Sequence, residues 1–244
     1  DQSGITAGDL ARHHFSSSPV GSVISATATI DVSGGRSAWE SRMNRQARRE
    51  ARKAVKEGVA VQPGGRQDLA LFFALMCESC RRQNTHPNPG RLELLEALWD
   101  LFHPHVMLGF AVTNGETMAG LLMIGHGRRL TFWKKGWNAS GTKLYANCLL
   151  MVEALSWAHD RGYETVDFAG LDHRIAETLI SGGLLDESQR RSRHMFNLRL
   201  GAEPRILPPA RLLVLNPALR QLHKICSQCR PLDNWLMQRL GGAG

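Results

Sequence analysis

The chain has 244 residues, of which 43% are hydrophobic and 21% are charged, so it can bury an ordinary core and is not intrinsically disordered. Its net charge of +8 and its pI near 9.7 favour an anionic partner such as nucleic acid, a phosphate-rich cofactor or an anionic membrane surface. No stretch reaches the roughly 18 apolar residues of a membrane-spanning helix and the opening residues lack a signal-peptide pattern, so the sequence predicts a cytoplasmic protein.

The first part of the chain predicts an extension, a strand and three helices. Residues 1–21 are rich in Ser and Gly without a sustained period, which indicates an N-terminal extension or the remnant of a preceding unit. A β-branched segment then predicts a strand that ends at the turn Ser33-Gly34-Gly35. A basic helix, closed by Gly58, follows it, and after a short strand we expect helices at about 67–82 and 92–102.

The segment from Ser41 to Val61 predicts a helix whose cations share one side. At about 100° per residue its basic side chains fall within an arc of about 80°, and they are Arg42, Arg45, Arg49, Arg52 and Lys56. The apolar side chains on the opposite side are Met43, Ala47, Ala51, Ala54 and Val55. Such a stripe is either a solvated face or a surface that contacts phosphates, and the pattern alone leaves both interpretations open.

From His105 onwards the pattern changes to strands. Three strands form a predicted meander, with Asn114-Gly115 as a hairpin signal, and a long helix at 143–161 and a short buried strand follow. This order is that of an α/β layer in which helices cover a mixed sheet. We expect a main domain over residues 22–210 and a C-terminal helical tail over residues 211–244.

The five cysteines include two pairs with CxxC spacing, Cys77 with Cys80 and Cys226 with Cys229. Together they would supply four thiolates to a zinc ion. However, both pairs lie in helical segments, most of the chain separates them, and neither has the turn residues of a zinc knuckle. The sequence therefore predicts no metal site.

Two later segments carry a family resemblance. LYANCLLMVEALSWAHDRGYETVDFAG at 144–170, followed by HMFNLRLGAEPRIL at 194–207, resembles the Fem family of GNAT-fold transferases. The matching residues are Asn147, Leu149, Leu150, Glu153, Trp157, Gly162, Tyr163, Asp167, Phe168, Gly170, Phe196, Gly201 and Glu203. The segment Arg48 to Val59 also resembles the arginine-rich helix that opens the C-terminal GNAT unit of that family.

The resemblance implies both a fold and an activity. The fold would be α/β (α+β), with a GNAT-like mixed, mostly antiparallel sheet flanked by helices. Fem transferases move an amino acid from aminoacyl-tRNA onto a peptidoglycan precursor, so the chain would be an amide-forming N-acyltransferase. It would use aminoacyl-tRNA as co-substrate, bind no cofactor tightly and act on a small-molecule or precursor amine.

Three departures from the family pattern stand out. The chain has room for one GNAT unit, whereas full-length Fem proteins carry two, so a homodimer or a partner subunit would replace the missing unit. The Phe-Lys motif of the family is Phe196-Asn197 here, and Ala146 stands where the bridge-forming enzymes have Pro.

An amine that attacks an ester or thioester needs a proton acceptor and a donor to the developing oxyanion. The candidate catalytic residues are Asp167, His173 and Asn197. Two of them have an alternative interpretation: Asp167 as an anchor for the loop that follows it, and His173 as a solvated loop residue.

Substrate contacts are predicted at the end of the meander and on two helices. Alternation along a strand puts Trp133, Lys135 and Trp137 on one face, with Lys134 and Asn138 on the other. The candidate substrate-binding residues are Trp133, Lys135, Trp137, Asn138, Asn147 and Phe196. Phe196 is either a stacking platform for a base or a core residue.

Phosphate contacts are predicted in two arginine clusters. The candidate phosphate-binding or tRNA-binding residues are Arg45, Arg49, Arg52, Arg190, Arg191, Arg193 and Arg199. The second cluster is alternatively a set of solvent-facing cations.

Two other functions remain open. GNAT relatives that use acyl-CoA place its pyrophosphate on a glycine-rich loop before the long helix. Here that loop is incomplete, although Gly141 with Lys143 would bind one phosphate. The third candidate function is a non-catalytic subunit that completes the site of a partner.

Overall fold

The structure, a computed structural model, describes residues 6–18 and 24–221. It divides into two compact units, one formed by residues 26–205 and the other by the described residues before and after that range. Most of the predicted C-terminal tail lies outside the described residues, as does the pair Cys226 and Cys229. No helix within the described residues is long and apolar enough to cross a membrane.

The smaller unit contains one helix and a two-stranded sheet. These elements are α1 (Ala7–Arg12), β1 (Phe15–Ser17) and β9 (Arg211–Leu213). Thr6 starts α1 with a capping box, because its hydroxyl accepts the Asp9 N–H while the Asp9 carboxylate accepts the Thr6 N–H. The two strands pair antiparallel, with Phe15 opposite Leu213.

The larger unit is built on a seven-stranded sheet in the order β3-β4-β5-β6-β7-β2-β8. Its strands are β2 (Ala26–Asp31), β3 (Ala60–Gly64), β4 (Val106–Thr113), β5 (Glu116–His126), β6 (Arg129–Trp137), β7 (Thr165–Asp167) and β8 (Glu203–Ile206). β6 pairs with β7 in parallel, while the pairs from β3 through β6 and the pair β2–β7 are antiparallel. The predicted mixed, mostly antiparallel sheet is confirmed.

Helices cover both faces of this sheet. They are α2 (Gly35–Arg42), α3 (Arg45–Lys56), α4 (Leu69–Arg82), α5 (Leu92–Phe102), α6 (Ala139–Lys143), α7 (Ala146–Asp160), α8 (His173–Ile180), α9 (Glu187–Arg191) and α10 (Met195–Arg199). One apolar cluster joins α4 and α5 to one face of the sheet, and a larger one joins α7, α2 and α3 to the other. α7 supplies the crossover that a parallel β6–β7 pair requires.

The predicted basic helix is two helices in the structure. α2 ends at Arg42, whose guanidinium donates to the Asp31 carbonyl, so Arg42 does not belong to the stripe. Asn44 then starts α3, because its side-chain oxygen accepts the Ala47 N–H at 2.8 Å. The burial predicted for Met43, Ala47, Ala51 and Ala54 is confirmed.

Val55 was expected to be buried with those residues, and this expectation is wrong, because its side chain is 58% exposed. It lies about 100° around the helix from the buried Ala54, and it lines a groove together with Leu149 and Val152 of α7.

The predicted long helix also begins later than expected. Tyr145 has a left-handed backbone, with φ of 55°, and it separates the short α6 from α7. The prediction of one helix from Lys143 is therefore wrong, because this backbone conformation interrupts the helical hydrogen bonds.

Candidate active site

Backbone pairing between β6 and β7 ends after three residue pairs. The last pair is Thr131 opposite Asp167, although β6 continues beside β5 to Trp137. After β7 the chain follows β2 instead, with the N–H of Phe168 bonded to the Ala28 carbonyl. The Phe132 and Phe168 rings pack edge to face there, with centroids 5.3 Å apart. We refer to the region between β6 beyond Thr131 and the chain after β7 as the cleft.

A bulge decides which side chains of β6 face this cleft. Phe132 pairs with Met123 and Lys134 pairs with Leu122, so Trp133 is an extra residue in β6. The bulge interrupts the alternation of faces along the strand.

The side chains of β6 therefore divide differently from the prediction. Trp133 packs in the cluster beneath α4 and α5, whereas Trp137 packs in the cluster around α7. The expectation that Trp133 shares a face with Lys135 and Trp137 is wrong, and Trp133 lies on the opposite side of the sheet from the cleft.

Lys135 lies at the cleft without a carboxylate partner among the described residues. Its Nζ is 3.5 Å from Oδ1 of Asn197 and 5.1 Å from the ring centroid of Phe196. Burial, with a smaller contribution from the neighbouring Arg193 charge, lowers the pKa of Lys135 to about 8. The ammonium is therefore held in a site that solvates it poorly, which is a frequent property of functional lysines.

α10 forms the wall of the cleft opposite β6. Asn197 is buried and Phe196 is half-buried against the main core. The Arg199 guanidinium also lies over the Phe196 ring, 5.6 Å from its centroid, and pairs with Glu50 of α3 at 3.8 Å. Because two cations already lie over the Phe196 ring, the geometry favours the core interpretation over a stacking platform for a base.

His194 immediately precedes α10, and its side chain is partly buried. The pKa of His194 is lowered, first by burial and then by the Arg193 charge, so the imidazole is neutral near pH 7. His194 was not among the predicted site residues, although it lies two residues before Phe196 in the sequence.

Asp167 acts as a structural anchor. Its Oδ1 accepts hydrogen bonds from the Thr27 hydroxyl at 2.5 Å and from the Ala169 N–H at 2.8 Å. Its Oδ2 lies 3.6 Å from Arg129. These contacts hold the buried carboxylate where β7 ends, and they favour the loop-anchor interpretation over a role as general base.

His173 and Asn147 lie apart from the Lys135 contacts. His173 is the first residue of α8, its Nε2 is 3.4 Å from Glu177, and its Nδ1 is buried without a hydrogen-bond partner among the described residues. Asn147, in the first turn of α7, also has a side-chain oxygen that is buried and unpaired within the described part of the chain. Within the described part of the chain, neither residue forms a hydrogen bond or ion pair with Lys135, His194 or Asn197.

Asn138 and Gly141 are hydrogen-bonded to each other at the start of α6. Asn138 Oδ1 accepts the Gly141 N–H at 2.7 Å, and its amide nitrogen donates to Glu116 and to the Thr117 carbonyl. Asn138 is thus the N-cap of α6, and the Gly141 amide is already bonded. The expectation that Gly141 would bind a phosphate is wrong for this conformation, because its N–H donates to the cap.

The predicted arginine set separates into four groups. Arg190 donates to the Leu185 carbonyl and Arg191 pairs with Glu187, so both stabilise the surroundings of α9. Arg199 is committed to Glu50 and Phe196. Arg193 is exposed, and its charge acts on both Lys135 and His194.

The fourth group lies on α3. Arg45, Arg49 and Arg52 are exposed, and none of them has an ion-pair partner within residues 6–18 and 24–221. Arg52 and its neighbour Arg48 also line a groove of about 140 Å³ between α2, α3 and α7. We refer to Arg45, Arg49 and Arg52 as the α3 arginine face.

A metal centre has no support among the described residues, which contain no group of three or more His, Cys, Asp or Glu side chains placed to hold an ion. Cys77 and Cys80 lie on α4 as free thiols.

Comparison with known proteins gives one family match and several fold matches. A sequence model of the acetyltransferase (GNAT) domain matches residues 41–175, which is more than half of the chain. No curated protein matches the chain significantly.

Among solved structures, the chain is similar to FemX, with a TM-score of 0.72 and 14% identity over 88% of this chain and 69% of that chain. It is also similar to the C-terminal domain of a putative lysylphosphatidylglycerol synthetase from Agrobacterium fabrum. There the TM-score is 0.52 and the identity 14%, over 95% of this chain and 69% of that chain. Structural similarity at such identities indicates a shared fold.

Proposed function

The chain belongs to the family of acetyltransferase (GNAT) domains, and we propose that it transfers an aminoacyl group from aminoacyl-tRNA to an amine acceptor. The resemblance to GNAT-fold and Fem-like acyltransferases predicted from the sequence is confirmed, and the chain is an acyltransferase. The aminoacyl-tRNA donor, the amine acceptor and the residues assigned to them are the proposal.

The α3 arginine face is the observation that carries the proposed donor. Three exposed guanidiniums on one side of a single helix, without carboxylate partners among the described residues, form a locally uncompensated positive surface. Elsewhere in the described chain, exposed arginines such as Arg66 and Arg128 pair with carboxylates. An unpaired row of cations attracts a polyanion more strongly than a single phosphate group, and a nucleic-acid backbone offers phosphates at regular spacing.

Acyl-CoA is the second candidate donor, and the family match supports it because the matched domain is an acetyltransferase domain. The local geometry before α7 supports it less. The segment that would form a glycine-rich phosphate loop is folded into α6, and its Gly141 amide is bonded to Asn138. A CoA pyrophosphate at that place would have to displace this N-cap, because backbone amides are the usual ligands of such a phosphate.

A donor assay distinguishes the two candidates. The purified chain is incubated with aminoacyl-tRNA or with acetyl-CoA, each with a panel of primary amines that includes lysyl peptides and amino sugars, and amide products are identified by mass spectrometry. We expect amide formation with aminoacyl-tRNA. Amide formation from acetyl-CoA alone would reject the proposed donor and leave the acyltransferase class intact.

The proposed donor also implies a location in the cell. Aminoacyl-tRNA is a cytoplasmic substrate, so the proposed donor implies the cytoplasmic location that the sequence predicts.

Size-exclusion chromatography with light scattering would determine whether the active species is a monomer, a homodimer or a complex that supplies a second unit. An active monomer would reject the requirement for a partner that replaces a missing unit.

A further inference from the structure

The groove between α2, α3 and α7 combines an apolar lining with charged sides. Its volume is about 140 Å³, and its lining residues all belong to the larger unit. The apolar lining includes the buried Leu149 and Val152 of α7 and, from α3, Ala51 and Val55. Because Val55 is 58% exposed, the groove presents to solvent an apolar side chain that the core does not cover.

The α3 side of the groove carries two guanidiniums. Arg48 is partly buried and Arg52 is exposed, and neither has an ion-pair partner within the part of the chain that the structure describes. They are four residues apart on one helix, so they lie side by side on the same face. Arg52 also belongs to the α3 arginine face, which makes the groove continuous with the surface proposed to contact phosphates.

The side formed by α2 and α7 carries two carboxylates. Arg36 donates through Nε to Oε1 of Glu40 at 2.8 Å, and through Nη2 to Oε1 of Glu153 at 3.1 Å. In both carboxylates Oε2 accepts no hydrogen bond from the described residues. This side of the groove therefore offers hydrogen-bond acceptors that Arg36 holds in place.

We propose that the groove binds one unstacked cytosine base of a single-stranded RNA segment. The pyrimidine ring packs on the apolar lining, and its exocyclic amino group donates to a free carboxylate oxygen of Glu40 or Glu153. The flanking phosphates pair with Arg48 and Arg52. This base site rests on the proposed function through the RNA partner of the α3 arginine face, and it does not depend on the acyl-transfer chemistry.

The size and the chemistry of the groove favour this occupant. An apolar cavity of about 150 Å³ holds one benzene molecule, so a groove of about 140 Å³ accommodates a single ring, whereas a purine or a lipid chain would extend beyond it. Carboxylates accept from the amino group of cytosine, which uracil lacks. Unpaired RNA bases are recognised through their ring faces and through hydrogen bonds to their edges.

The first test compares probes that differ only in their bases. Fluorescence anisotropy measures the affinity of the chain for labelled oligocytidine and for an abasic ribose-phosphate chain of the same length. Val55→Asn should weaken oligocytidine binding by about 5- to 20-fold, because the ring loses apolar contact, and should leave the abasic chain within twofold. Leu94→Asn, at an exposed position of α5, is the matched control and should change neither affinity. Equal effects of Val55→Asn on both probes would overturn the base site.

The polar contacts are tested with the same assay. Arg48→Gln should reduce the slope of log K against log salt by about 0.7 for both probes, since one phosphate contact is lost. Arg81→Gln, at an exposed position of α4, should leave the slope unchanged. Oligouridine should bind wild type about 3- to 10-fold more weakly than oligocytidine, because it lacks the amino donor. Equal affinities for the two would overturn the assignment of cytosine.

The second test observes the wild-type groove directly. Methyl NMR of a chain labelled at Val and Leu should show upfield shifts of the Val55 and Val152 methyl signals when oligocytidine is added, since a base packed on them shields them. The methyl signals of Leu94 should stay in place. Unmoved Val55 and Val152 signals at saturation would overturn the proposal, and the same spectra establish that the variants are folded.

The outcomes separate the base site from the proposed function. If oligocytidine binds as expected and aminoacyl-tRNA is not consumed, the proposed function is rejected and the base site remains. If aminoacyl-tRNA is consumed and Val55→Asn binds oligocytidine like wild type, the base site is rejected and the transferase remains. If Val55→Asn weakens the binding of coenzyme A and not that of oligocytidine, the groove takes a different ligand and the proposed occupant is rejected.

Discussion

The ammonium of Lys135 lies 3.5 Å from the side-chain oxygen of Asn197, and these two residues join β6 to α10 across the cleft. The resemblance to the Fem family implies a lysine at the position of Asn197. In this structure Lys135 of β6 places an ammonium beside that position.

Burial of Lys135 should cost stability that a neutral side chain recovers. Its pKa is about 8 in the folded protein, below the ordinary lysine value of 10.5, so folding disfavours the charged form. Lys135→Met should raise the free energy of unfolding at pH 7 by about 1 to 3 kcal/mol. The gain should be full below pH 8 and should vanish as the pH rises towards 10.5, where the wild-type lysine is neutral in both states. Urea denaturation at several pH values measures this, and a gain independent of pH would contradict it.

The α3 arginine face should control the salt dependence of tRNA binding. Replacing Arg45, Arg49 and Arg52 together with Gln should weaken binding and reduce the slope of log K against log salt by about 2 to 3. The matched control is the triple substitution of Arg66, Arg81 and Arg128 by Gln, which removes the same charge from exposed positions elsewhere. Filter binding between low and moderate salt is the measurement. Equal effects of both triple variants would reject a local site on α3.

Asp167 should behave as an anchor in a comparison of two substitutions. Asp167→Ala leaves the Thr27 hydroxyl and the Ala169 N–H without an acceptor, and it should cost about 1 to 3 kcal/mol of stability. Asp167→Asn keeps an oxygen at that place and should restore most of the stability and of kcat. Loss of kcat in a stable Asp167→Asn variant would instead support the role of general base.

Gly136 should be needed for the close contact between β6 and α4. A Cβ at this position would lie 2.3 Å from the Met76 nitrogen and 2.5 Å from the Leu75 carbonyl carbon, both backbone atoms. Gly136→Ala should therefore destabilise the protein by about 2 to 3 kcal/mol, since backbone must shift to relieve the overlap. Gly90→Ala is the control, because its Cβ would meet its nearest atom, the Pro87 carbonyl oxygen, at 3.6 Å. Thermal unfolding of both variants compares them directly.

Local patterns in the sequence were sufficient for most elements of the fold. The meander was predicted because alternating strands and an Asn-Gly turn are local signals, and α5 was predicted at its observed bounds, Leu92–Phe102. The predicted helix boundaries were wrong where the conformation or capping of a single residue set them. The left-handed Tyr145 and the cap at Asn44 each divided a helix that hydrophobic periodicity alone had joined.

The candidate site was less predictable, since its residues are brought together by pairing and packing between distant segments. The bulge at Trp133 turned that side chain to the opposite face, and it depends on the register of β6 against β5. Asn138 and Asp167 are polar residues of the kinds that bind substrates or transfer protons. In the structure, however, Asn138 caps α6 and Asp167 anchors the loop after β7 through hydrogen bonds.

The sequence by itself determined the fold class, the basic character of α3 and the resemblance to an acyltransferase family, because periodicity, composition and motif order are encoded locally. Only the tertiary structure decided which charges remain unpaired and which titratable groups meet. Arg190 and Arg45 look alike in the sequence, but one is bonded to Leu185 and the other is exposed without an ion pair in the described chain. Burial lowers the pKa values of both Lys135 and His194. Desolvation and charge proximity are properties of three-dimensional packing, so no pattern along the chain could have shown them.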